Sequence, residues 1–283
     1  MHTIATIGFF DGVHKGHRYL FKQLDKIGAE RGLQPLIISF ASHPRQVLQS
    51  DYLPQLLTTT DERRALLSAY GEVLMLPFEQ IQPLTAAEFM QHLRDEYEVS
   101  VLLMGYDHTF GSDRLSRPQD YKRIGAQLGI EVLTINEFVD GEWHVSSTEI
   151  RGALENGNIL VANDLLGRPY SLRGTVIHGK GFGRTIGFPT ANIKPNDAHK
   201  IIPKAGVYAV SVRALALDWT PAMLNIDTHQ IIEVHIPSFS GDLYGENMDI
   251  RFLRFIREEK QFDSAEALRE QIKADVDNSL RLA

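Results

Sequence analysis

The 283-residue chain contains no cysteine. That absence excludes disulfide frameworks, thiolate metal sites and cysteine nucleophiles, and it fits a reducing compartment, so a cytoplasmic location is expected. No apolar run approaches the roughly 18 residues that crossing a bilayer requires, and no basic segment leads into a long apolar core, so neither membrane insertion nor a signal peptide is expected. Positive charge is in short supply too. The 29 Lys+Arg against 36 Asp+Glu leave a formal net charge of −7, which argues against broad nucleic-acid binding. Any anion site must therefore be local, built from loops and a few arginines. What is present, 43% apolar and 23% charged residues, is the make-up of an ordinary globular protein. The length is generous for a single core, so two domains are expected.

The apolar run Ile4 to Ile7 leads into Gly8-Phe9-Phe10-Asp11-Gly12-Val13-His14-Lys15-Gly16-His17. Gly8, Gly12 and Gly16 let backbone approach a ligand where a Cβ would intrude. A helix beginning near Gly16 presents unpaired N–H groups and a positive dipole end to an anion, and His14 and His17, three apart, can face one phosphate from its first turn. An H-x-x-H pair alone is more often merely solvated. The glycines, the acid and the position straight after an N-terminal strand favour a nucleotide-phosphate turn. Helix His17–Ala29, strand Pro35–Phe40, a helix capped by Thr60 or Asp61 and running through Tyr70, and strand Glu72–Pro77 follow. Helix Ala86–Tyr97 capped by Thr85, strand Ser100–Gly105, helix Pro118–Leu128 and strand Glu131–Ile135 complete the half. Such alternation predicts a parallel sheet with helices on both faces and ligands beyond the carboxyl ends of its strands. Three loops leave those ends, Gly8–His17, Ala41–Arg45 with His43, and Gly105–Arg114 with Asp107, and they are expected to line one cleft. Ser146-Ser147-Thr148-Glu149-Ile150-Arg151 then opens a helix with Arg151 in its first turn. By itself this is a capping motif; beside a phosphate cleft, Arg151 becomes a clamp on a leaving pyrophosphate.

From Tyr170 helical periodicity gives way to short β-rich runs, Ser171–His178, Gly206–Leu215, Ala222–Ile226, Ile231–Ile236 and Asn247–Ile256. Close strands with Gly and Pro turns predict a small antiparallel barrel. Ser264 caps a last amphipathic helix through Leu282, with Leu268, Ile272 and Val276 toward the barrel. The boundary is expected between Leu154 and Arg168, giving domains 1–158 and 168–283. Within the barrel, Gly179, Gly181 and Gly183 can offer backbone N–H groups to phosphate oxygens, with Lys180 and Arg184 adding charge; the run lacks the G-K-[ST] ending of a Walker A loop. Thr190 and Asn192 share one face of an extended chain, and a hydroxyl with an amide oxygen suits Mg²⁺ bound with a nucleotide. Glu233 alternates onto the face of His235; a strand carboxylate alone is more often solvated than catalytic.

The segments GFFDGVHKGH, FASHPRQVL, LPF, GYDHTFG and SSTEIRGAL in the first half, and LLGRPYSLRGTVIHGKGFGRTIGFPTANI, GVYAV, EVHIPSFSGDLYG and FLRFIREEKQFDS in the second, closely resemble the bacterial bifunctional riboflavin kinase/FMN adenylyltransferase (FAD synthetase) family. The resemblance covers nearly the whole chain. It implies an α/β architecture, with an N-terminal Rossmann-like nucleotidyltransferase domain on a parallel sheet and a C-terminal riboflavin kinase β-barrel with a terminal helix. In the first domain FMN would attack the α-phosphorus of ATP, giving FAD and pyrophosphate. His14 and His17 would stabilise the transferring group, Gly8, Phe9 and Asp11 would shape the nucleotide pocket, and Ser147, Thr148 and Arg151 would hold phosphates. His43 and Asp107 would lie near the flavin or the nucleotide, and are assigned to the flavin. In the second domain riboflavin would attack the γ-phosphorus of ATP, giving FMN and ADP. Gly179, Gly181, Gly183 and Arg184 would hold the nucleotide, Thr190 and Asn192 the Mg²⁺, Glu233 would be the base and Arg257 would reach the flavin. No nucleic-acid or membrane partner is implied.

Two departures stand out. Phe10 is large where the family often has a small or polar residue. The segment Leu224 to Ile231 lacks an R-P-T stretch and the longer loop that usually precedes the E-V-H strand. Either a tight hairpin leaves Glu233 in place, or the kinase site is impaired and the chain is a monofunctional FMN adenylyltransferase; a non-catalytic flavin-binding regulator is the third reading.

Overall fold

A computed structural model describes residues 2–49, 51–106, 108–140, 143–179, 181–215 and 217–282. The chain divides into two compact units, Met1–Ser146 and Ser147–Ala283. The first unit runs β1 (Thr3–Ile7), a 3-10 turn (Asp11–Val13), α1 (Lys15–Arg31), β2 (Gln34–Phe40), α2 (Pro44–Leu48), α3 (Thr60–Leu67), β3 (Glu72–Leu76) and α4 (Phe78–Ile81). It continues through α5 (Ala86–Tyr97), β4 (Val99–Met104), α6 (Pro118–Leu128), β5 (Glu131–Thr134) and a short antiparallel pair, β6 (Val139–Asp140) with β7 (Trp143–His144). Strands order β3-β2-β1-β4-β5, and every neighbouring pair is parallel.

Apolar runs in β1, β2 and β4 are buried on both faces, as a parallel sheet requires. Ile4, Ile37 and Leu103 meet Leu20, Phe21 and Leu24 of α1 and Leu67 of α3. Ala5, Ile38 and Leu102 meet Phe89 and Met90 of α5 and Tyr121 of α6. Local chemistry sets the helix ends. Thr85 and Glu88 form a reciprocal capping box at α5, and Pro118 opens α6. The expected start of α3 needs correction: Thr59 is its cap, in a second capping box with Glu62, and the helix stops at Leu67 rather than Tyr70, whose N–H turns back to the Leu67 carbonyl.

The second unit runs α7 (Ser147–Glu155), α8 (Ile159–Leu166), β8 (Tyr170–Ile177), α9 (Phe182–Thr185), β9 (Ala191–Pro195), β10 (Gly206–Ala214), β11 (Leu217–Ile226), β12 (Ile232–His235), β13 (Asn247–Arg257) and α10 (Ala265–Leu282). Its strands close a barrel in the order β10-β11-β12-β9-β8-β13, antiparallel throughout. Closure leaves no unpaired sheet edge. The sequence shows extended chain at Thr190 and Asn192 but no separate strand there; in the structure that stretch continues as β9, Ala191–Pro195.

The Leu224–Ile231 question resolves as a tight hairpin. The Asp227 carboxylate accepts from the backbone N–H of His229 and Ile231, each at 2.8 Å, and Gln230 takes the left-handed conformation that closes the turn (φ 62). Asn225 is thereby held opposite Glu233 in register. Ser264 caps α10 through its hydroxyl, and Val276 and Ile272 bury against Val207 and Met223 of the barrel.

Candidate active sites

In the first unit the strand order reverses between β1 and β4, the place where open α/β sheets bind ligands. The turn after β1 is wound tightly: Phe10 (φ 54), Gly12 (φ 79) and Val13 (φ 44) are all left-handed. For non-glycine residues that costs of order 1–3 kcal/mol each. A buried network holds it. The Asp11 carboxylate, 3% exposed, accepts from the Leu57 and Thr58 N–H groups and the Thr58 hydroxyl, all at 3.0 Å, and the Thr58 hydroxyl accepts from the Gly12 N–H. Asp11 thus shapes the turn by binding residues 57 and 58. Phe10 is accommodated by Gly8, where a Cβ would stand 2.6 Å from the Phe10 ring, and Phe10 packs edge-on to His17 and Phe21.

The two histidines are placed differently from the sequence expectation of a shared first helical turn. Helix α1 starts at Lys15, so His14 is its extended N-cap, and its Nδ1 accepts from the His17 N–H at 3.4 Å. The rings stack with centroids 3.5 Å apart. His17 Nδ1 is buried and has no hydrogen-bond partner among the described residues. Burial, and then the charge of His14, hold His17 well below the ordinary histidine range, so the ring is neutral at pH 7.

Beside the turn lies a cavity of about 680 Å³ walled by Phe9, Phe40, Phe78, Phe89, Phe110 and His108. Its size is that of a small-molecule site. Phe9 therefore faces an aromatic cavity, and His43, which caps α2 by accepting from the Arg45 N–H, meets it edge-on at 4.6 Å. Arg63 was not singled out from sequence. It is fully buried, its guanidinium lies 4.1 Å from the Phe9 ring centroid, and its Nη2 donates to the Phe40 carbonyl at 2.6 Å. Asp107 and Lys180 lie outside the described residues.

In the barrel, β9, β12 and β11 bring Asn192, Glu233 and Asn225 into one cross-strand row. Asn192 Nδ2 donates to Glu233 Oε1 at 3.2 Å. Gly179 seats against the same amide, since a Cβ there would come 2.1 Å from Asn192 Nδ2. His235, buried, donates from Nδ1 to the Pro189 carbonyl at 2.8 Å, fixing the chain just before Thr190. A cavity of about 300 Å³ is bordered by Gly183, Thr190, Asn225, Glu233 and Arg257. A second of similar size is bordered by Arg184, Thr190 and Tyr244, so Thr190 stands between them. Gly181 is left-handed (φ 70) and starts the single turn α9. Arg257 borders the first cavity with its guanidinium engaged, donating to Asp275 from Nε and Nη2 and to the Glu258 carbonyl from Nη1. Asn225, like Arg63, went unnoticed in the sequence.

Ser147, Thr148 and Arg151 lie on α7, in the second compact unit. Arg151 is the fifth helical residue rather than a first-turn one, because the helix begins at Ser147.

A strained, anion-ready turn on a Rossmann-like sheet, together with a closed barrel carrying a Thr/Asn/Glu constellation, defines a two-part nucleotide-dependent transferase. A family model described as FAD synthetase matches residues 1–149, and one described as riboflavin kinase matches residues 166–283. The chain belongs to the bifunctional riboflavin kinase/FMN adenylyltransferase family. It is 35% identical to the protein of that name from Escherichia coli K12, over 96% of this chain and 90% of that one. It is also 35% identical to the protein of that name from Pseudomonas fluorescens, over 99% and 93%. A crystal structure described as a macrolide-efflux protein from Streptococcus pneumoniae matches with a TM-score of 0.88 at 33% identity, covering 99% of this chain and 94% of that one. Among the described residues here, no helix is long and apolar enough to cross a membrane.

Proposed function

We propose that residues 1–158 carry the adenylyl transfer and residues 168–283 the phosphoryl transfer of a chain that converts riboflavin to FMN and FMN to FAD, one ATP being used in each step. In the barrel the ribityl 5′-hydroxyl oxygen attacks the γ-phosphorus, the bond to the β–γ bridging oxygen breaks, ADP leaves, and the hydroxyl proton passes to Glu233. The observation that carries this reading is the row Asn192–Glu233–Asn225. The carboxylate is held by the amide of one proposed metal-ligand residue and opens on the cavity shared with Thr190.

The family's ATP chemistry calls for a divalent cation, and the Thr190 hydroxyl and Asn192 amide oxygen are hard donors that fit Mg²⁺. With Nδ2 committed to Glu233, the Asn192 Oδ1 remains for that cation. Bound there, Mg²⁺ neutralises charge on the nucleotide phosphates. Gly179, Gly181, Gly183 and Arg184 serve the same phosphates, and riboflavin fills the cavity bordered by Arg257.

In the first unit an FMN phosphate oxygen attacks the α-phosphorus and pyrophosphate departs. This chemistry needs positioning and electrostatics more than covalent help. The N-terminus of α1 and the imidazole of His17, which takes up a proton as the anion binds, receive the anion, with His14 stacked on the ring of His17. The flavin ring occupies the aromatic cavity, with Phe9 and His43 at its border and Asp107 assigned there by motif. Gly8 and Asp11 maintain the turn, and the motif assigns Ser147, Thr148 and Arg151 to the nucleotide phosphates. Incubation of the purified chain with Mg²⁺–ATP and either riboflavin or FMN, followed by flavin chromatography, tests the whole. Both FMN and FAD should form from riboflavin; FAD from FMN without any FMN from riboflavin would refute the kinase assignment.

A further inference from the structure

Arg63 is a charged side chain with no exposed surface. Its environment leaves it under-served. Nη2 donates to the Phe40 carbonyl, while Nε and Nη1 have no hydrogen-bond partner among the described residues. Burial lowers the guanidinium to about 10, with Asp11 opposing that shift, so it stays a cation at neutral pH. Burying a cation with two donors unmatched is costly, and large-scale core packing would favour an apolar residue in its place. The contacts it does make share one property. Phe9 lies in the turn just beyond β1 and Phe40 ends β2, and both wall the 680 Å³ cavity. Arg63 itself does not line that cavity; it stacks on the ring of one wall and anchors the backbone of the other.

We infer that Arg63 is a positioning residue for the flavin substrate of adenylyl transfer, locking Phe9 and Phe40 into the spacing that grips the flavin ring. The inference rests on reading the cavity as the flavin site. A planar guanidinium can stack on a ring and donate sideways at once, which the compact ammonium of lysine cannot. Arg63→Lys therefore keeps the charge and loses the lock.

The test is steady-state FAD formation by the full chain. In Arg63→Lys, KM for FMN should rise about tenfold, equivalent to ~1.4 kcal/mol, with KM for ATP changed less than about twofold and riboflavin phosphorylation unaltered. A purely structural role would lower thermal stability without separating the two KM values, and that result overturns the inference. A double-mutant cycle with Phe9→Leu adds an independent reading. Once the ring is gone, Arg63→Lys should add little, and an undiminished effect in that background also overturns it. Leu84→Trp, which fills the cavity, checks the underlying assignment. If it leaves KM for FMN untouched, the flavin reading of the cavity fails. If it raises KM for FMN while Arg63→Lys does not, the positioning inference alone fails.

Discussion

A neutral, half-buried imidazole beside the turn proposed here to bind phosphate is a proton acceptor in waiting. His17 is held below the ordinary range by burial and by His14, and bringing a polyphosphate to the same turn restores a reason to be charged. Proton uptake on binding ties affinity to pH: ATP should bind more tightly to the adenylyl-transfer site as pH falls from about 8 to about 6. KM for ATP in FAD formation, measured over that range for the native chain and for His17→Asn, reads this directly. A native profile no steeper than that of His17→Asn would remove His17 protonation from the mechanism. The sign for folding is fixed by the same depression. The unfolded chain takes the proton first, so the contribution of His17 to stability is intact above about 6.5 and declines as pH falls toward the folded-state value. At this scale the sequence was partly readable. The H-x-x-H spacing pointed to His14 and His17, because short-range spacing survives into structure. Arg63 was hidden, since T-D-E-R-R reads as a solvated charge run, and only its four-residue offset from the buried Leu67 hints that it turns inward.

At the scale of elements, α10 is a piece whose attachment shapes the barrel cavity proposed for the kinase. Leu268 and Ile272 border that cavity, so the helix is one of its walls. Apolar contacts alone do not fix where a helix sits along its axis. The Arg257–Asp275 pair does, with Nη2–Oδ2 at 2.6 Å and Asp275 almost without exposed surface. Gln271 adds a donor to the same carboxylate. Removing one partner of such a buried pair costs about 3–5 kcal/mol. Asp275→Asn is therefore expected to lose stability of that order in urea unfolding and to raise KM for riboflavin, with FAD formation from FMN unchanged. A loss below about 1 kcal/mol would mean that apolar contacts carry the docking instead. Elements themselves were largely legible. Helices 86–97 and 118–128 carry their caps in sequence, and buried parallel strands announce themselves as apolar runs. Of β9 only the extended stretch at Thr190 and Asn192 was legible, because five residues running into Pro195-Asn196-Asp197 are too short to declare a strand, and pairing with β8 and β12 makes it one. The same holds for Asn225, whose meaning comes from standing opposite Glu233.

For the molecule as a whole, the proposed central groups of the two chemistries are different side chains. His17 and the aromatic cavity belong to a unit ending at Ser146, and Glu233 with its two asparagines belongs to the other. The product of one is the substrate of the other, and FMN is a small, soluble dianion. Separate sites joined only by a diffusible intermediate should complement in trans. His17→Ala should abolish FAD formation and leave riboflavin phosphorylation at the native rate; Glu233→Ala should do the reverse. An equimolar mixture of the two variants, given riboflavin and Mg²⁺–ATP, should then make FAD after a lag in which free FMN accumulates, and the lag should shorten as total protein is raised. Added apoflavodoxin, or any protein that sequesters free FMN, should suppress FAD formation by the mixture. If it suppresses the native chain equally, FMN is released between the steps there too. FAD from the mixture without a lag would mean the variants are not the clean single-site knockouts assigned here, and no FAD at all would mean that FMN made in one unit never reaches solvent, which would tie the two reactions together far more closely than their separate residues imply.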